Sequence, residues 1–179
     1  MYEMWVQEGE LIAGTFSRTR GNGDVLKLGG NRWMDLDAPM SIIALSFETY
    51  RGQLVTALSN SDRRHPNPIY ALGADGKWQP LGKASLEWKE AYIPKHLVAS
   101  GDELYLGIGG ARGTISVWRY DGTFWTNRAG DGLYGSWSDP LVREGAEWVY
   151  RLTLHRGKLH AGLASDRGPF RAQVWELTP

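Results

Sequence analysis

The stretch Leu104 to Trp125, LYLGIGGARGTISVWRYDGTFW, decides how the chain is read. Leu104 to Ile108 predicts a strand, and a glycine-rich loop follows it. Ile115 to Tyr120 predicts a second strand, which turns at Asp121-Gly122 into a third opening at Trp125. The segments are β-branched or aromatic, and they are punctuated by turn formers. Strands of this kind cannot bury both faces alone, so something must stack on them.

The rest of the chain supplies copies. A Leu-x-x-(Gly/Ala) signature recurs at Leu11 to Gly14, Leu54 to Ala57, Leu104 to Gly107 and Leu159 to Gly162, with starts 43, 50 and 55 residues apart. A glycine turn precedes each one (Gly9, Gly52, Gly101, Gly157), and before that comes an apolar run: Met4 to Val6, Ile42 to Leu45, Leu97 to Ala99, Leu152 to Leu154. A further strand follows at Val25, Ile69, Val117 and Val174, and the first three copies then place Trp33, Trp78 and Trp125. A period of this length with four strands per unit is that of propeller blades. The expected fold is all-β: four β-propeller blades of antiparallel strands at about 1–39, 40–84, 85–141 and 142–179, in one domain or a fragment of one. No segment sustains an apolar spacing of 3.6 residues, so no helix is expected.

The third copy, with Gly109-Gly110 ending a strand and Tyr120 and Trp125 after it, resembles a kelch-type repeat. The corners Asp121-Gly122-x-x-Trp125 and Asp75-Gly76-x-Trp78 are similar, more loosely, to the Asp-box corners of sialidase-like propellers. The resemblance is one of architecture. It implies a scaffold used mainly for binding and carries over no catalytic residue.

Composition narrows the partners. The 179 residues are 42% hydrophobic and 22% charged, with 20 basic and 20 acidic side chains, so the formal charge is zero. Neutrality argues against nucleic acid and against an anionic membrane as partner. There is no cysteine, hence no disulfide framework and no thiolate site. No 18-residue apolar run occurs and the N-terminus lacks a basic n-region, so the expectation is a soluble, cytoplasmic protein.

The last blade stops after three strands, which leaves three readings open. The blade is three-stranded, the chain is a fragment of a larger propeller, or a partner completes the open edge, with a homo-oligomer through the fourth blade as one form of the last.

Antiparallel order sorts the connections onto two faces. One face takes the tight turns at Gly9, Gly52, Gly101 and Gly157 and at Gly29-Gly30, Gly76 and Gly122. The other takes TFSRTRGNGD, LSNSDRRHPNP, IGGARGT and LASDRGPFRA, which carry Arg18, Arg20, Arg63, Arg64, Arg112, Arg167 and Arg171, seven of the chain's fourteen arginines. The blade-to-blade connections on that face carry Trp88, Tyr92, Tyr134 and Trp137, the last two in a long connection from Asn127 to Glu147. Arginine with tryptophan and tyrosine is the composition of interface hot spots, and loops on a rigid scaffold are where binding residues concentrate. The plain alternative is a solvated rim, in which Asp24, Asp62 and Asp166 pair with those arginines locally. Trp33, Trp78, Trp118, Trp125 and Trp175 are expected to be structural, packed between blades.

Chemistry motifs are nearly absent. Gly130 to Gly135 matches G-x-G-x-x-G, yet SWSDP follows it and cannot open the helix such a site needs. His65, His96, His155 and His160 show no metal-ligand spacing, so no metal and no cofactor are expected. The leading functional reading is a non-enzymatic scaffold that uses the arginine and aromatic face for a protein partner or for further propeller blades. The alternative is a lectin-like binder of carbohydrate or anionic ligands. A sialidase-like glycoside hydrolase fragment stands behind both, because its acid and tyrosine cannot be assigned.

Overall fold

The computed structural model describes residues 2–16, 23–39, 43–59, 69–82, 92–110, 115–130, 148–164 and 173–177. Among the described residues there are fifteen strands and no helix. Blade 1 comprises β1 (Glu3–Gln7), β2 (Glu10–Gly14), β3 (Val25–Gly29) and β4 (Arg32–Asp35). Blade 2 comprises β5 (Ile43–Tyr50), β6 (Gln53–Ser59), β7 (Ile69–Leu72) and β8 (Trp78–Pro80). Blade 3 comprises β9 (Tyr92–Ser100), β10 (Glu103–Gly110), β11 (Ser116–Tyr120) and β12 (Trp125–Gly130). Blade 4 comprises β13 (Trp148–His155), β14 (Lys158–Ala164) and β15 (Gln173–Leu177). Every pairing within a blade is antiparallel between sequence neighbours. The expected fold is therefore found: four propeller blades, with the fourth three-stranded among the described residues.

The chain divides into two units, Met1–Leu86 with blades 1 and 2 and Glu87–Pro179 with blades 3 and 4. The hairpin turns are what the local sequence demands. Glu8-Gly9, Arg51-Gly52 and Arg156-Gly157 hold positive φ at both central residues (53° and 81°, 49° and 77°, 51° and 76°). Two left-handed residues give the hairpin turn whose twist matches that of the flanking strands, and glycine takes the second position at no steric cost.

Counting from these turns puts the blades in common register. Val6, Thr49, Ala99 and Leu154 face Leu11, Leu54, Leu104 and Leu159 across the first hairpin. The repeated leucine is thus one position in one strand of each blade. Its face is called the front here and the opposite face the back.

In the first unit the back of blade 1 packs on the front of blade 2 around Ile12, Val25, Phe47, Leu54 and Leu58. Trp5 Nε1 donates to Thr49 Oγ1 at 3.1 Å and Trp78 Nε1 to the Leu36 carbonyl at 2.7 Å, so one indole crosses the interface in each direction. In the second unit the back of blade 3 packs on the front of blade 4 around Val117, Val149, Leu152 and Leu159. The Leu152 N–H donates to His96 Nδ1 at 3.3 Å across that seam, and a single bridge, Gly109 to Trp148, joins the two blades into one seven-stranded sheet.

Three expectations need correction. Trp33 is exposed rather than packed between blades. It occupies the register position of Trp78 and Trp125, on the front of blade 1. Asn127 to Gly130 is not part of a connection but continues β12, paired with β11 across a bulge at Val117/Trp118. Tyr92 likewise opens β9 opposite Gly110, and Pro94 is accommodated in that strand beside a register shift at Gly107/Ile108, one of the places a strand tolerates proline.

Candidate functional site

The ten residues singled out for binding lie outside the described residues. Arg18 and Arg20 fall in 17–22, Arg63 and Arg64 in 60–68, Trp88 in 83–91, Arg112 in 111–114, Tyr134 and Trp137 in 131–147, and Arg167 and Arg171 in 165–172. The strand ends that bracket these segments are described, and within each unit they are grouped. In the first unit, Gln7 Nε2 donates to the Gly52 carbonyl at 3.1 Å, which sets the tight turns of blades 1 and 2 side by side. At the other end of the same strands Phe16 bridges Ile43. In the second unit the Gly109 to Trp148 bridge marks the corresponding end.

The tight-turn end carries an arrangement that composition and motif reading missed. In blade 1, Lys27 pairs with Glu10. In blade 3, Arg119 Nε lies 2.9 Å from Glu103 Oε1, and in blade 4 Lys158 Nζ lies 2.7 Å from Glu176 Oε1. Glu10, Gln53, Glu103 and Lys158 each stand directly before the repeated leucine, while Lys27, Arg119 and Glu176 face the residue two positions further along the second strand. Three blades therefore hold an ion pair at one register position, with its sign reversed in the fourth. Blade 2, with Gln53 and Ala71, has none there. The signal was present in the residue preceding each leucine, but its partner sits across a connection of variable length and so has no fixed spacing.

These pairs border clefts between packed blades. One of about 430 Å³ opens between blades 1 and 2 beside Glu10, Lys27 and Gln53. Another of about 390 Å³ opens between blades 3 and 4 beside Glu103, Tyr105, Arg119, Arg128, Lys158 and Glu176. Both are in the size range of small-ligand sites. In the second, Tyr105 Oη donates to Glu103 Oε2 at 2.5 Å while Arg119 holds the other oxygen. Burial pushes the Tyr105 hydroxyl up to about 12, and its bond to Glu103 acts the same way. The Glu176 carboxyl is held below the usual carboxylate range by the hydrogen bond from Lys158. Arg128 lines this cleft with no ion-pair partner among the described residues. His155 and His160 approach edge to face with ring centroids 6.1 Å apart, and no cluster of metal-ligating side chains occurs among the described residues.

No family model and no curated protein matches the chain. Among solved structures it is similar to the acylaminoacyl peptidase of Pyrococcus horikoshii, at 11% identity and a TM-score of 0.54, with 99% of this chain covering 27% of that one. A fucose lectin from Kordia zhangzhouensis follows at 15% identity and a TM-score of 0.42, covering 74% of this chain and 98% of that one. A bifunctional GH43-CE protein from Bacteroides eggerthii stands at 16% and 0.47, covering 97% and 23%. At such identity the likeness to the peptidase is one of fold alone, and the two weaker ones add nothing to it. The chain spans about a quarter of the length of the peptidase chain.

Proposed function

We propose that this chain is a non-enzymatic binding scaffold, kelch-like in architecture, that holds a protein partner through the rim carrying Arg18, Arg20, Arg63, Arg64, Arg112, Arg167 and Arg171, with Trp88, Tyr134 and Trp137. The observation that supports it is the order of the strands. In each unit the second-to-third and blade-to-blade connections leave from strand ends that a cross-blade bridge brings together, while the opposite ends close in tight glycine turns. Arginines desolvated against carboxylates of a partner form bidentate, charge-assisted bonds, and losing one costs about 2 to 5 kcal/mol. An idle solvated arginine costs almost nothing. Arg63→Ala, Arg112→Ala and Arg167→Ala should each lower recovery of the same cellular partner with thermal stability unchanged, while Lys158→Ala should not. Undiminished recovery in all three arginine variants removes the rim from consideration.

A second reading, a binder of carbohydrate or small anionic ligands, draws on the cleft between blades 3 and 4, where Arg128 and the Tyr105 ring stand beside a fixed Glu103–Arg119 pair. A glycan array run with the Arg128→Ala and Tyr105→Phe variants tests it. Signal that falls in these variants and survives in the arginine-rim variants moves the function from the loops to the cleft.

A further inference from the structure

Each unit holds a cleft, and the two clefts are built on the same register positions. Gln7, Glu10 and Ile12 line the one between blades 1 and 2, where Ser100, Glu103 and Tyr105 line the one between blades 3 and 4. Lys27, paired with Ile12, corresponds to Arg119, paired with Tyr105. On the other wall Gln53 and Lys158 stand directly before the repeated leucines. Charge separates the two. Among the described residues the first cleft sets Glu8 and Glu10 against Lys27, a surplus of one negative charge. The second sets Arg119, Arg128 and Lys158 against Glu103 and Glu176, a surplus of one positive charge. The Tyr105 hydroxyl adds none at neutral pH, since burial first and the bond to Glu103 second push it up to about 12.

The surplus positive charge belongs to Arg128, and an irregularity of the sheet puts it in the cleft. Asn127 faces Trp118 and Ala129 faces Val117, so Arg128 is the extra residue of a β-bulge in β12. A bulge re-aims a side chain, and bulges gather beside functional sites. The corresponding strand of blade 1, β4, pairs with β3 in unbroken register and supplies no cation to the first cleft. The other charges of the second cleft are engaged. Arg119 holds one oxygen of Glu103 and Tyr105 the other, while Lys158 holds Glu176. Arg128 alone among these lining cations has no carboxylate among the described residues.

We infer that the cleft between blades 3 and 4 binds a hexuronic acid, a sugar carrying one carboxylate, and that Arg128 receives that carboxylate. The inference rests on the second reading above and names its ligand. A guanidinium meets a carboxylate with two parallel N–H groups, and one surplus charge matches one carboxylate. A phosphate monoester, with about −1.5 to −2 charges at pH 7, would leave negative charge unmatched. The rest of the lining suits a sugar ring. The oxygens of Glu103 and Glu176 keep lone pairs for hydroxyl donors, and each carboxylate is already balanced by its own cation. Val117, Leu154 and Leu159 add apolar surface, and Tyr105 an aromatic ring, against which the C–H face of a pyranose packs. The first cleft, with the opposite surplus and no counterpart of Arg128, does not take the acid.

Titration of the isotope-labelled chain with glucuronate, galacturonate, glucose and benzoate, followed through its backbone amide shifts, tests this. At least one hexuronate should move the amides of Glu103, Tyr105 and Arg128. It should bind roughly 10-fold or more tighter than glucose or benzoate, the margin that a charge-assisted hydrogen bond supplies. Arg128→Ala should remove the margin over glucose with melting unchanged, because the side chain is exposed. Lys27→Ala, in the other cleft, should leave it intact. Four results overturn the inference and leave the second reading in place: glucose bound as tightly as the better hexuronate, benzoate bound as tightly, a margin that survives Arg128→Ala, or hexuronate shifts that fall around Lys27 and Gln53. If neither hexuronate moves the amides of this cleft, the inference is overturned as well, and the second reading then rests on the glycan array alone.

Discussion

Gly107 and Val149 are in contact across two blades, so closely that a Cβ on the glycine would sit 2.6 Å from Val149 Cγ1. Gly107→Ala should therefore strain the seam and cost about 1 to 3 kcal/mol, as overpacking of a filled core does. Gly162→Ala, at the same position of blade 4, meets nothing closer than 3.7 Å. It should be neutral or stabilise by up to about 1 kcal/mol, through the unfolded chain. Urea denaturation of the two variants decides the matter, and equal losses would mean that the close approach of Val149 does not set the cost at Gly107.

Trp125 and Trp33 stand at one register position with opposite surroundings. Trp125 is buried and stacked on Tyr120, ring centroids 5.0 Å apart, while Trp33 is exposed. Trp125→Ala should cost about 3 to 5 kcal/mol. Trp33→Ala should stay within about 1 kcal/mol of the wild type.

These positions show how far the chain could be read before its structure was known. The hairpins and the repeated leucine were legible because alternation and turn chemistry are local. The burial of a tryptophan was not, because it depends on what packs against the ring and not on the strand that carries it: Trp33 and Trp125 are written alike, yet one is exposed and the other buried. The ion pairs Glu10–Lys27, Glu103–Arg119 and Lys158–Glu176 were hidden for a related reason, their partners being joined by connections of unequal length. The arginines of the proposed rim were chosen from composition and topology, and they lie outside the described residues.

His96 makes stability depend on pH. Burial first, and the Arg151 charge second, lower its pKa from 6.5 to about 4. The neutral ring accepts the Leu152 N–H through Nδ1, whereas a protonated ring turns a donor toward that donor. Between pH 6.5 and about 4 the unfolded chain binds the extra proton and the folded chain does not, so stability falls as pH falls through this window. The shift corresponds to roughly 2 to 3 kcal/mol for a half-buried ring. His96→Gln, which keeps an acceptor but does not titrate, should flatten the dependence of urea midpoint on pH between those limits. A variant whose acid limb matched the wild type would assign it to other groups.

The two indoles that cross the seam between blades 1 and 2 should differ in what they contribute. Trp5 donates to the Thr49 hydroxyl and Trp78 to the Leu36 carbonyl. Phenylalanine at either position keeps most of the apolar contact and removes the donor. The Thr49 hydroxyl can rotate toward another partner, so Trp5→Phe should cost about 0.5 to 1 kcal/mol, the net value of an ordinary hydrogen bond. The Leu36 carbonyl is fixed in the chain and half-buried, so Trp78→Phe leaves an acceptor in place without its donor and should cost about 1 to 3 kcal/mol. Chemical denaturation of the two variants at neutral pH, well above the His96 transition, gives the comparison. Trp5→Phe costing as much as Trp78→Phe would mean that indole packing, rather than the hydrogen bond to Leu36, holds blade 2 against blade 1.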